Sequence, residues 1–210
     1  MSIKLPSGPT FSPNRLIPDI TEWARKVAYA INNIHYGYDD LRFPAVGINL
    51  PGGAADPTRD NTTGLLVFSQ TLDNVIAGVS QMPHSWGRAR YPIVKPHIHL
   101  RVNTATTAVS RWQFEYDVAS VNDNFANALG TYTSLPAVSF TNPNSTTKHA
   151  ILSLGDLDLT GNRESCVILW RVWRLASSDA ADVDTSTINL LEFDIHYVHD
   201  KPGTPTEHPI

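Results

Sequence analysis

The run Pro96-His97-Ile98-His99-Leu100-Arg101 sets two imidazoles at positions i and i+2. In an extended strand such residues point to one side, so His97 and His99 can chelate a single divalent metal ion. Ile98, Leu100 and Val102 point to the other side and read as the core face. That reading puts both histidines on the outer side of the strand, where they also suit hydrogen bonding across a subunit interface. Three such pairs around a threefold axis would supply six nitrogens, an octahedral set. His84 lies upstream, and His196 sits on the polar face of a late strand. No other cofactor is implied.

Carboxylates also recur in pairs, Glu115 with Asp117 and Glu192 with Asp194. Glycoside cleavage needs two carboxyls flanking a bond, but neighbours on one strand face read better as solvated or ion-paired to Arg101 and Arg111. The chain holds no G-x-S-x-G elbow, P-loop or G-x-G-x-x-G turn, the motifs that would bring a nucleophile or a nucleotide phosphate. Cys166 is the sole cysteine and opens an apolar run, so it reads as core and excludes an internal disulfide. The expectation is a protein that is not an enzyme. The stretch from Pro83 to Pro96 gathers Trp86, Arg88, Arg90 and Tyr91. These are groups that could stack on and hydrogen-bond a sugar, or that could simply pack beneath their own loop.

The elements that must hold these groups follow from composition. The chain has 210 residues, enough for one medium domain with an appended segment. Only 17% are charged, and Thr, Ser, Asn and Pro fill the difference, a balance favouring strands and turns. A net charge of −4 gives no basic footprint for nucleic acid. No stretch approaches the roughly 20 apolar residues of a membrane span, and the N-terminus lacks the apolar segment of a signal peptide.

Residues 1–18 carry Pro6, Pro9, Pro13 and Pro18 and read as an extended anchoring arm. A helix is expected over 19–37, capped by Asp19 with Glu22 and stopped by Gly37. Along it Ile20, Trp23, Val27, Ala30 and Ile34 recur at a/d spacing. The stripe fits a short trimeric coiled-coil stalk, or packing against the chain's own β region.

Residues 38–210 read as strands. They fall at Ala45–Asn49, Leu65–Gln70, Asn74–Ser80, His97–Asn103, Arg111–Val118, Tyr132–Phe140, His149–Leu154, Cys166–Leu175 and Asn189–Val198. About eight or nine short strands with Gly, Pro, Asn and Asp between them make an all-β, jelly-roll-like sandwich. In Arg111–Val118 the core face is Trp112, Phe114, Tyr116 and Val118; in Asn189–Val198 it is Leu191, Phe193, Ile195 and Tyr197. Cys166–Leu175 is apolar on both faces and should be central.

Four motifs, Tyr38-Asp39-Asp40-Leu41-Arg42-Phe43-Pro44, Met82-Pro83-His84-Ser85-Trp86, Lys95-Pro96-His97-Ile98-His99 and Phe193-Asp194-Ile195-His196-Tyr197, the last followed by Asp200-Lys201-Pro202-Gly203, stand in that order across residues 38–203. In them the sequence resembles a family of tailed-phage and prophage virion structural proteins. The resemblance implies a β-sandwich built into a virion, as a tail needle tip, fibre, head fibre or capsid decoration, and carries no catalytic residue. With the arm and helix it implies a homo-oligomer, a trimer by the seam, docked to capsid, portal or tail protein through the arm. Two alternatives remain open: a cupin-like metal-binding enzyme with His97 and His99 turned inward, and a module binding a host surface glycan or receptor at the particle tip.

Overall fold

The computed structural model describes residues 16–33, 37–50, 52–128 and 130–199; within the helix, side chains are described for residues 20–28. Helix α1 (Leu16–Asn33) comes first. Then follow β1 (Gly37–Pro44), β2 (Thr58–Arg59), β3 (Leu66–Phe68), β4 (Asn74–Gln81), β5 (Ile93–Val102) and β6 (Val109–Ala119). The chain continues through β7 (Thr133–Ser134), β8 (Val138–Thr141), β9 (Ala150–Ser153), β10 (Leu157–Asp158), β11 (Val167–Arg174) and β12 (Ile188–His199). They form two antiparallel sheets packed as a jelly-roll-like sandwich, the expected class.

The seven-stranded sheet runs β10-β5-β12-β3-β2, with β1 also on β12 and β9 also on β5. The five-stranded sheet runs β4-β11-β6-β7, with β8 also on β6. Short strands thus share one edge of a long neighbour. Gly155, at φ +108, makes the turn between β9 and β10 that lets both pair with β5, and only glycine adopts that backbone freely. Pro96 sits opposite Ile195, and its carbonyl accepts from the Leu154 N–H (2.9 Å). It falls where β9 gives way to β10, a position in β5 that needs no ladder donor.

Inward side chains from both sheets fill the space between them. Trp112, Phe114, Ile168, Trp170 and Val172 meet Phe68, Ile98, Leu100, Phe193 and Ile195, all buried. Trp170 and Phe193 lie 4.4 Å apart between ring centroids, and Phe43 closes on Trp170 at 5.1 Å. Each such side chain contributes about 1.5–3 kcal/mol by leaving water. Gly78 is required here, because a Cβ on it would lie 2.3 Å from Trp170 Cζ2. As expected, β11 is central, and Cys166 beside it is buried, with burial pushing its thiol pKa up to about 12.

Several local expectations change. The helix starts at Leu16, so residues 16–18 leave the arm and Asp19 lies inside the helix instead of capping it. Pro18 is tolerated in the first turn, where backbone N–H groups have no helical acceptor. Glu22 pairs forward with Arg25 (2.9 Å) and Lys26 (3.5 Å). In the expected seam Ile20 is exposed and Trp23 and Val27 are half-buried, while Ala30 and Ile34 fall outside the described side chains. Residues 1–15 of the arm lie outside the described residues.

The motif Tyr38–Pro44 forms β1, which its acidic pair hides from a hydrophobicity reading. The expected strand Ala45–Asn49 is instead a 3-10 turn over Ala45–Gly47. Tyr132–Phe140 splits into β7 and β8 around Pro136.

Candidate functional site

The outer face of the seven-stranded sheet carries the chemistry. Residues directly opposite on neighbouring strands point to the same side. The register sets His97 of β5 between Ser153 of β9 and Asp194 of β12, with Arg42 of β1 beyond. One step along, His196 lies between Lys95 and Asp40. His97 and His99 therefore face away from the sandwich interior, as the Ile98/Leu100 core face requires. The interior metal cavity that a cupin-like enzyme needs is not built from them.

A β-bulge makes this face possible. In β12 the register shifts between Leu190 and Glu192. Ile188 and Leu190 point to the core before it, and Phe193, Ile195 and Tyr197 point there after it. Without the extra residue, Asp194 and His196 would project into the core. Leu191, expected on the core face with Phe193, is instead the half-exposed residue at the shift.

The result is a continuous polar array. His149 Nε2 lies 2.7 Å from His99 Nδ1, and His99 Nε2 lies 3.1 Å from Asp194 Oδ2. His97 Nε2 stands 2.6 Å from Asp194 Oδ1, and His97 Nδ1 stands 3.3 Å from the Lys95 carbonyl. The rings of His97 and His196 meet edge to face at 3.8 Å, and His196 Nε2 contacts Asp40 Oδ1 at 2.7 Å. Asp194 and His97 are buried, at 3% and 5% exposure, and His99 and His196 are partly covered. Arg42 and Glu192 close the far side with an ion pair (Nη2 to Oε2, 2.7 Å).

Charge is distributed unevenly along this array. Burial lowers the pKa of His97, but the Asp194 carboxylate more than offsets it, and the net direction is up. His196 is pushed down, by burial first and then by His97 beside it. Two sets of ligand atoms lie close enough to share a cation: His97, His99 and Asp194, and Asp40, Asp194 and His196. Asp194 belongs to both.

The other expected sites fare differently. Trp86 is fully buried beneath its loop, its Nε1 donating to the Tyr91 carbonyl (3.0 Å), so it cannot act as a stacking platform. Arg88 is held by Glu164 (2.6 Å). Arg90 and Tyr91 do reach the surface, in a depression of ≈ 240 Å³ that they share with Tyr38, Lys95 and His196. The expected arginine partners are also different. Glu115 pairs with Arg171 and Glu192 with Arg42, while Arg111 pairs with Asp179 and Arg101 donates to the Thr146 carbonyl. Asp117 is buried, accepting from the Val118 N–H and Asn127. The sequence reading missed His149 and Asp40. His149 immediately precedes a strand that pairs with His97 and His99, and Asp40 sits in the Tyr38–Pro44 motif, so pairing β1 and β9 correctly would have found both.

No protein-family model matches the chain, and no curated protein does. Among solved structures it is similar to a family 35 carbohydrate-binding module from an environmental isolate (14% identity, TM-score 0.43, 80% of this chain and 98% of that one). It is also similar to a xylan-binding domain from Paenibacillus barcinonensis (13%, TM-score 0.33, 78% and 96%) and to a chain of infectious bursal disease virus (8%, TM-score 0.35, 79% and 33%). At these identities and scores the likenesses bear on neither activity nor ligand.

Proposed function

We propose that the chain is a structural component of a tailed-bacteriophage particle, a β-sandwich head whose copies associate, as a trimer, through helix α1, with the arm docking to another virion protein. The observation that carries this reading is apolar surface kept outside the core. Ile20 on the α1 stripe is 42% exposed, and Trp23 and Val27 on the same stripe are only half-buried. A second apolar area covers the outer face of the five-stranded sheet, where Val79 is 59% exposed and Val75, Leu169 and Trp173 are half-covered. Apolar patches of this kind mark contact surfaces, and the a/d spacing assigns the helical one to copies of the same chain. The motif resemblance supplies the particle.

Sedimentation of the full chain tests the assembly, alone and with Ile20→Lys and Val27→Lys combined. A trimer that the double variant dissociates, with the β-sheet circular dichroism unchanged, supports the reading. A monomeric parent chain overturns it. Peptide mapping of purified particles tests the location.

A glycan- or receptor-binding head is the second reading, supported by the Tyr38, Arg90 and Tyr91 depression; Tyr38 is 73% exposed there. Loss of glycan binding in Tyr38→Ala with Tyr91→Ala would favour it.

A further inference from the structure

We propose that His97, His99 and Asp194 bind one divalent transition-metal ion per chain, in a site completed within a single sheet. The proposal is independent of the assembly reading, and it differs from a threefold-axis site because the carboxylate comes from the same chain as the imidazoles.

The orientation of the two rings points to it first. His97 Nδ1 faces the Lys95 carbonyl at 3.3 Å, an acceptor only, so Nδ1 keeps a proton and Nε2 is the nitrogen left for a cation. Nε2 is turned towards Asp194 Oδ1 at 2.6 Å, a separation that needs a proton or a metal ion between the two atoms. In the same way His99 Nδ1 can donate to His149 Nε2, which frees His99 Nε2 to face Asp194 Oδ2 at 3.1 Å. Both imidazoles thus commit Nδ1 to an outer partner and present Nε2 to the same carboxylate. Outer partners that fix the tautomer in this way are characteristic of metal-binding histidines.

The second, independent observation is the carboxylate itself. Asp194 Oδ1 is fully enclosed; His97 Nε2 stands 2.6 Å from it, and no other donor reaches it. A buried carboxylate oxygen left without a donor is costly. A cation among these three groups would satisfy it.

Geometry and chemistry agree with the assignment. One ligand atom from each residue lies within 4.8 Å of the others. The two nitrogen–oxygen separations, 2.6 Å to Oδ1 and 3.1 Å to Oδ2, are shorter than the edge of about 3.4 Å of a tetrahedron with bonds of about 2.1 Å, so the three side chains would open by less than about 1 Å to take the ion. Two neutral imidazoles with one carboxylate suit Zn²⁺ and its first-row neighbours Co²⁺ and Ni²⁺ better than Ca²⁺ or Mg²⁺. Strands β5 and β12 are each paired on both sides, so the ligands stand on a rigid base. The partial exposure of His99 leaves the ion a path to solvent.

The competing account is that protons alone hold the cluster, as an imidazolium–carboxylate pair. Native mass spectrometry and calorimetry of the untagged, chelator-stripped full chain with ZnCl₂, and with CoCl₂ for its visible spectrum, separate the two. One ion per chain is expected, with cobalt bands of nitrogen and oxygen ligation. His99→Gln, at a partly exposed position, should weaken binding by at least about tenfold, as should Asp194→Asn. A parent chain that takes up no ion in stoichiometric amount overturns the site and leaves the proton cluster. One ion per three chains overturns the single-chain site, as does unchanged binding in both variants.

Discussion

The two sheets share one core but turn very different faces outward. On the seven-stranded sheet the outer rows are His149, His99, His97, Asp194, His196 and Asp40, in contact from strand to strand. On the five-stranded sheet they are Val75, Ala77, Val79, Leu169 and Trp173 along β4 and β11, giving way towards β6 to Gln113 and the ion pairs of Arg171 with Glu115 (2.7 Å) and Arg111 with Asp179 (2.9 Å). Arg171 also lies over the Tyr132 ring at 3.9 Å, and Trp173 Nε1 donates to Glu115 (2.7 Å). Strand pairing is satisfied equally on both sheets, so the outward residues are free to differ in purpose. On the readings proposed above, the first face would hold a small charged species, and the second would offer area to a large apolar one.

The sharpest way to break this contrast is to remove the residue on which the polar face converges. In chelator-treated solution, Asp194→Ala should lower stability by about 3 kcal/mol, since it strips two covered imidazoles of a charged partner. Urea unfolding measures it. A loss under about 1 kcal/mol, the value of an ordinary exposed pair, would mean that the array is no more than solvated surface.

Arg171→Ala probes the opposite face and should cost less, about 1 kcal/mol, because its pair with Glu115 is partly exposed and the stacking on Tyr132 adds a similar small increment. The same unfolding experiment compares the two directly. A larger loss at Arg171 than at Asp194 would reverse the assignment of which face is built around a polar centre.

How much of this was legible beforehand depends on the range of the interaction. Period-two alternation gave β6 and β11 nearly to the residue, since the pattern is local and Trp112, Phe114, Ile168 and Trp170 declare one face. The outward placement of His97 and His99 was legible for the same reason, from Ile98 and Leu100. Their partners were not. Asp194 could be assigned to a polar face, but its neighbour across the sheet depends on pairing register, and so do the contributions of His149 and Asp40 from β9 and β1. The bulge at Leu191 left only a doubled leucine as its trace. The placement of Trp86 stayed open because an aromatic in a loop rich in Arg and Pro looks the same in sequence whether it lies over or under the loop.

The smallest expected change in stability comes from Val79→Arg, and it bears most directly on the apolar face. Val79 is well exposed on β4, an edge strand of its sheet, so the substitution should shift stability by no more than about 0.5 kcal/mol. If the outer face of the five-stranded sheet is a contact surface, a fixed charge there should weaken self-association by at least about tenfold, or 1.4 kcal/mol, in sedimentation equilibrium. His149→Ala on the other face should leave association unchanged. If the two variants associate alike, the oligomer is held by α1 alone, and the contrast between the faces concerns the polar one only. If Val79→Arg alone dissociates it, the head contributes its own interface, and the helix serves chiefly to bring the heads together.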